Sequence, residues 1–246
     1  DPELIARLVR VAIAAGATTI NLPDTVGCAR PDQVAAMFRE LQARVPEASG
    51  VVLSFHGQDD LGMATANSLA AISAGARQVE VAVNGLGERA GNTAFEEVVM
   101  ALRVHGEALG VETAVDTRGI WAVSQAVARR SGFAVPPNKA IVGGNAFRHA
   151  SGIHQDGVLK CRETYEAVDP AEIGHPVGTQ IVLGKLSGRA GFASRVRALG
   201  IAPSDAALER AFARFQELAD GRGEIADEEL VALCREPEAG ARSARA

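Results

Sequence analysis

A chain of 246 residues with 47% apolar and 22% charged residues has material for one large core or two modest ones, and its composition excludes disorder. Its net charge of −5, with acidic and basic residues interspersed, argues against a general nucleic-acid or membrane-surface binder, because both need clustered Lys and Arg. Cys28, Cys161 and Cys234 lie far apart with no CxxC pair, which disfavours structural zinc and disulfides and favours a reducing compartment. No apolar run reaches membrane-spanning length, and DPELIARL lacks the layout of a signal peptide, so a soluble cytoplasmic protein is expected. The chain begins without Met and enters a helical pattern at once (Leu4, Ile5, Leu8, Val9, Ala12, Ile13), so further sequence is expected upstream.

From residue 3 to about 117 one unit recurs: helix, Gly turn, short β run, polar loop. The first β run, Thr18–Leu22, leaves through Pro23, Asp24 and Thr25. A helix over 31–44 follows, opened by Pro31 and Asp32 as helix starts favour. Val51–Phe55 and a helix over 61–74 make the second unit. Gln78–Val83, the stretch NGLGERAGN (84–92) and a helix over 94–109 make the third, and a last run, Glu112–Val115, leads out. Strands alternating with helices at roughly 30-residue spacing predict βαβ units and a parallel sheet. In each unit the unusual polar residues follow the strand, the end at which both a (β/α) barrel and a doubly wound sheet bind ligands. GLGERAG has GxGxxxG spacing and no acidic residue closing a following strand, so it is not read as a dinucleotide fingerprint.

Beyond 117 the texture changes. A helix over 120–131, a break at Pro136-Pro137-Asn138 and a Gly/His-rich loop over 143–157 precede helices over 190–199, 206–219 and 227–235, and the tail GARSARA is expected to fray. The expected organisation is an α/β fold: a partial TIM (β/α) barrel over 1–117, holding its last strands only, and a mainly helical subdomain region over 118–246.

Several residues carry candidate chemistry, each with a plainer alternative. His56 and Gln58 are two apart beyond a strand and project from one face, as two metal ligands would, or as a polar strand end does. His149 and His154 share a loop with Gln155 and Asp156, suited to proton transfer or to solvation. Asn92 offers a metal an amide oxygen, or caps the helix that follows. Thr25 is an N-cap or a carboxylate-binding hydroxyl. Lys185 and Arg189 in GKLSGR are a phosphate clamp or solvated charges.

Taken together, TTINLPDTVG (18–27), DDLGMATANSLAAISAGARQVE (59–80), NGLGERAGN (84–92) and PPNKAIVGGNAFRHASGIHQDGVLK (136–160) resemble the 2-isopropylmalate synthases. TYEAVDP (164–170) and ELADGRGEIADEEL (217–230) continue the resemblance collinearly to the end of the chain. It implies condensation of acetyl-CoA with 2-oxoisovalerate at a divalent metal cation (Mn²⁺, Mg²⁺ or Zn²⁺). It also implies that His56, the position of Gln58 and Asn92 are metal ligands and that Thr25 holds the keto acid's carboxylate. His154 and Tyr165 correspond to groups that reach a neighbouring subunit's site and assist proton transfer, in a homodimer with swapped helical regions. Small-molecule substrates are implied, and neither nucleic acid nor a membrane.

Two departures stand out. The family carries His-x-His where this chain has His56-Gly57-Gln58, and an amide oxygen is the poorer ligand for a transition metal. The family's first-strand Arg-Asp pair has no counterpart here. The alternatives are a relative acting on another keto acid, such as homocitrate or citramalate synthase, and a non-catalytic homologue serving as an assembly module.

Overall fold

The computed structural model describes residues 1–235, and the tail expected to fray, 240–246, lies outside them. Two compact units emerge: residues 1–146 with 171–175, and residues 147–170 with 176–246.

In the first unit, helix α1 (Pro2–Ala14) starts at Asp1, whose carboxylate accepts hydrogen bonds from the Glu3 and Leu4 amides at 2.9 and 3.4 Å. Strand β1 (Thr19–Asp24), helix α2 (Pro31–Arg44), strand β2 (Val52–Gly57), helix α3 (Ala64–Ser73) and strand β3 (Gln78–Glu80) follow, then helices α4 (Phe95–Leu109) and α5 (Ile120–Ser131). The strands form a parallel sheet in the order β1-β2-β3.

Alternation along the strands sorts residues onto two faces. Ile20 and Leu22 of β1 and Leu53 and Phe55 of β2 join Phe38 and Leu41 of α2, Ala71 of α3 and Val9 of α1 in one apolar core. Each large side chain so buried contributes roughly 1.5–3 kcal/mol. The other face carries Asn21, Ser54, His56, Gln78 and Glu80. A doubly wound sheet is covered on both faces and apolar on both. A barrel sheet has helices on its outer face only, and this polar inner face fits that arrangement.

Three strand ends differ from the sequence expectation. β1 runs on through Pro23 to Asp24, since Pro is tolerated on an edge strand. β2 extends to Gly57, which puts His56 inside the strand rather than beyond it. β3 stops at Glu80 instead of Val83. The expected run Glu112–Val115 forms no strand: the Thr113 hydroxyl accepts the Val115 amide, a local bond that competes with a ladder.

In the second unit, strand β4 (Arg148–His149) pairs in parallel with β5 (Gln180–Ile181), and helices α6 (Gly152–Lys160), α7 (Arg189–Ala198), α8 (Asp205–Asp220) and α9 (Asp227–Arg235) complete the described strands and α-helices. Its core is a ring cluster of Phe192, Phe212 and Phe215 with Leu208, Val196 and Leu230. The Gly/His-rich stretch expected as loop over 143–157 is therefore partly regular, with β4 and the start of α6 inside it. The helix is stitched by Gln155 and Val158, which are three apart and both buried.

Candidate active site

At the C-terminal ends of β1 to β3 the chain builds a polar cluster. His56 Nδ1 lies 3.0 Å from Glu80 Oε2, one strand away on the same face. Asn21 donates to the other oxygen of Glu80, and its Nδ2 also lies 3.1 Å from Ser54 Oγ. A carboxylate on Nδ1 places the ring proton there and leaves the Nε2 lone pair free to act as an acceptor or ligand.

Gln58 follows β2, and its backbone pairs with that of Asn92 in an isolated antiparallel bridge. The bonds around it are Asp59 N to Gly91 O (2.9 Å) and Thr93 N to Gly57 O (3.0 Å). Residues opposite each other in such a bridge project their side chains to the same side. Gln58 Nε2 lies 3.4 Å from His56 Nε2, and Asn92 Nδ2 donates to Leu86 O at 2.9 Å. The remaining amide oxygens, Gln58 Oε1 and Asn92 Oδ1, are both buried and both without a hydrogen-bond partner. Buried polar atoms are nearly always paired, so these two orphans on bridged residues, one of them on the carboxamide that meets His56, form with the imidazole a donor set that suits a cation. Among the described residues no group of three His, Cys, Asp or Glu side chains is arranged to hold a metal, because two of these three donors are amides.

The loop carrying Asn92 is held at both ends. At its start Asn84, in the left-handed region at φ 61°, donates its amide to Glu96 Oε2 (2.9 Å) and its side chain to Ser124 O (3.0 Å). Glu96 is almost fully buried and sits 3.2 Å from Lys139 Nζ; burial lowers the Lys139 pKa, but Glu97 and Glu96 outweigh it and the net shift is upward. Near the far end Arg89, also left-handed at φ 53°, donates to both Asp60 oxygens (2.8 and 2.9 Å) and to Thr25 O (2.8 Å). One guanidinium thus ties the loops after all three strands, and its hydrogen bond holds the Asp60 carboxyl below the usual carboxylate range. Gly87 is needed beneath Asn92, since a Cβ there would meet Asn92 Nδ2 at 2.0 Å.

Thr25 lies just past β1 and is exposed. It caps no helix, because α2 begins at Pro31 with Arg30 in the cap position. Asn92 likewise caps nothing, as α4 begins at Phe95 behind Ala94. Lys185 and Arg189 are engaged by Asp220 and Glu209.

In the second unit His154 on α6 stacks on Tyr165, centroids 4.2 Å apart at 27°. Both are exposed, and the Tyr165 ring rests where Gly157 has no side chain, since a Cβ there would meet Tyr165 Cε2 at 2.4 Å. His149, the loop partner expected for His154, is instead buried on β4, with Nε2 2.9 Å from Glu166 Oε1. Glu166 Oε2 accepts from Thr179 at 2.9 Å. Sequence reading missed Glu80, Asn21 and Arg89. Glu80 and Asn21 share the strand parity of His56, a signal present in the sequence once β2 and β3 are aligned; nothing local marked Arg89.

Parallel strands with helices on one face, and polar residues at the strand C-termini, define a partial (β/α) barrel as the class of fold. The model of the HMGL-like family matches residues 1–127, so the chain belongs to that family, and the homocitrate synthase post-HMGL domain-like model matches residues 141–223. Among curated relatives, the chain is 52% identical over 235 residues to the 2-isopropylmalate synthase of Ralstonia nicotianae, covering 95% of this chain and 46% of that protein. It is 54% identical over 234 residues to the 2-isopropylmalate synthase of Dechloromonas aromatica, covering 95% and 45%. The chain therefore spans about half the length of these relatives. A solved hydroxymethylglutaryl-CoA lyase from Pseudomonas aeruginosa is 26% identical with a TM-score of 0.47, over 55% of this chain and 45% of that one. No described helix is long and apolar enough to cross a membrane.

Proposed function

We propose that this chain carries the cation-binding strands and the proton-transfer helix of an enzyme that condenses acetyl-CoA with 2-oxoisovalerate (3-methyl-2-oxobutanoate), a 2-isopropylmalate synthase of leucine biosynthesis. The observation that carries this reading is the pair of buried, unpartnered amide oxygens of Gln58 and Asn92, the first on the carboxamide that meets His56 Nε2 at 3.4 Å. The strongly similar relatives bear that enzyme's name.

A divalent cation held by His56, Gln58 and Asn92 would polarise the keto acid's carbonyl as a Lewis acid. The rest falls to the chain's own groups. Glu80 keeps His56 in the tautomer that presents Nε2. The Thr25 hydroxyl donates to the keto acid's carboxylate and so fixes which face of the carbonyl is offered. His154 and Tyr165 hold and move a proton during enolisation of the acetyl methyl, the imidazole oriented by the phenol ring stacked on it. Carbon–carbon bond formation and hydrolysis of the thioester then release free CoA. In this reading residues 1–117 are the latter part of the barrel and 118–246 the helical region, which is swapped in a cytoplasmic homodimer so that His154 and Tyr165 serve the partner's site.

With the complete gene product, CoA thiol release from acetyl-CoA is expected only when 2-oxoisovalerate and a divalent cation are both present. Equal turnover with pyruvate or 2-oxoglutarate would refute the substrate, and no release under any condition would refute the activity. Gln58, in place of an imidazole, favours a second reading as a non-catalytic assembly module, which cation-dependent release would rule out.

A further inference from the structure

We infer that Gln58 shifts the cation site away from zinc and towards harder, oxygen-preferring divalent cations such as Mg²⁺ and Mn²⁺. The inference rests on the reading of His56, Gln58 and Asn92 as cation ligands and adds what kind of cation they accept.

Two positions of the site are fixed by neighbours. Glu80 at 3.0 Å from His56 Nδ1 commits the ring to offering Nε2. Asn92 is fixed by its bond to Leu86 O and by the bare Cα of Gly87, leaving only Oδ1 uncommitted. Gln58 is the adjustable member. Its NH₂ group sits 3.4 Å from His56 Nε2, on the lone pair a cation would use, while its Oε1 is buried with no partner. Half a turn about the terminal carboxamide torsion, a broad and soft one, exchanges the two atoms and brings Oε1 to the imidazole. Of the two carboxamide atoms only Oε1 can serve a cation, so Gln58 enters the donor set as an oxygen ligand.

The donors that this chain supplies are one imidazole nitrogen and two neutral amide oxygens. The neighbouring carboxylates are engaged elsewhere: Asp60 by Arg89, Asp59 by the Ala64 amide, Asp24 by the amides of residues 27–29, and Glu80 by His56 and Asn21. Nitrogen and thiolate donors favour zinc, whereas carbonyl-type oxygens and water favour magnesium and manganese. Zinc binds most mixed sites more tightly than manganese does, so the margin between them, rather than its sign, reports the effect of Gln58.

The test titrates the full chain with MgCl₂, MnCl₂ and ZnCl₂ by calorimetry, in the native form and as H56A, Q58H and Q58E, with circular dichroism as a check of folding. Binding lost in H56A defines the site. The zinc-to-manganese affinity ratio at that site is expected to rise about tenfold or more in Q58H, where a second imidazole replaces the amide. In Q58E, which keeps an oxygen donor, the ratio is expected not to rise. An unchanged ratio in Q58H, or a rise in Q58E as large as in Q58H, overturns the inference while leaving the cation site in place. Binding indifferent to H56A overturns the site and the inference together. Should Q58H fail to fold, Q58E still decides: a tenfold rise in its ratio contradicts the oxygen-donor account, and its absence upholds it.

Discussion

His56→Ala is expected to cut divalent-cation affinity about 100-fold or more and to abolish cation-dependent CoA release, with folding intact. His56 is the one nitrogen donor beside the two orphaned amide oxygens, and Glu80 serves it by fixing its tautomer. Losing a partner that only orients a ligand typically costs 10–100-fold, so losing the ligand itself sits at or beyond the upper end. Glu80→Gln separates the two effects, with an expected loss of about tenfold, because an amide holds the ring less firmly than a carboxylate. The fold should tolerate the alanine, since His56 projects from the polar face, opposite the core residues Leu53 and Phe55. Calorimetric titration checks both variants. Equal affinity in His56→Ala and the native chain would remove His56 from the site.

Gln155→Leu is expected to destabilise the second unit by roughly 1–3 kcal/mol. Gln155 is fully buried, and its Nε2 lies within 3.2 Å of four acceptors: His149 O (3.0 Å), Ala150 O (3.2 Å), Val182 O (2.8 Å) and Ser187 Oγ (3.0 Å). Two protons shared among four acceptors tie β4, the segment after β5 and the turn before α7 to the start of α6. Leucine fills the space, but His149 O keeps the Val182 amide at 3.0 Å and the single Ser187 hydroxyl proton can serve only one of Ala150 O and Val182 O, so one carbonyl is left without a donor, at roughly 1–3 kcal/mol. For a domain of this size, 1 kcal/mol moves the melting midpoint by roughly 4–8 °C, so a drop of roughly 4–24 °C is expected in a thermal melt. A shift under about 2 °C would mean that the buried amide is not what secures α6. The same loss should loosen His154, which sits one residue before Gln155.

How legible all this was in the sequence depended on whether the cause was local. α2 and α5 fall at the residues expected, because Pro31-Asp32 and Ser131-Gly132 mark their ends by local chemistry. The parallel βαβ order was legible from apolar runs alternating with amphipathic helices. α6 was not legible, because Gly152 and Gly157 lower its helix propensity and what holds it is Gln155 reaching Val182 and Ser187, 27 and 32 residues away. In the cluster around His56, residue types pointed to His56, Gln58 and Asn92. Glu80 and Asn21 stayed hidden, since the Asn21–Glu80 bond spans 59 residues and exists only once β1, β2 and β3 are side by side. Arg89 was hidden for the same reason, and its contacts with Asp60 and Thr25 cross 29 and 64 residues.

Crystals of the full chain soaked in MnCl₂, with anomalous diffraction recorded at the manganese edge, test the cation site most directly. The expected result is a peak at coordinating distance from His56 Nε2, with the Gln58 carboxamide turned so that Oε1 and Asn92 Oδ1 face it. A map with no peak there, and the Gln58 NH₂ still resting on His56 Nε2, would contradict the assignment of these three residues as ligands.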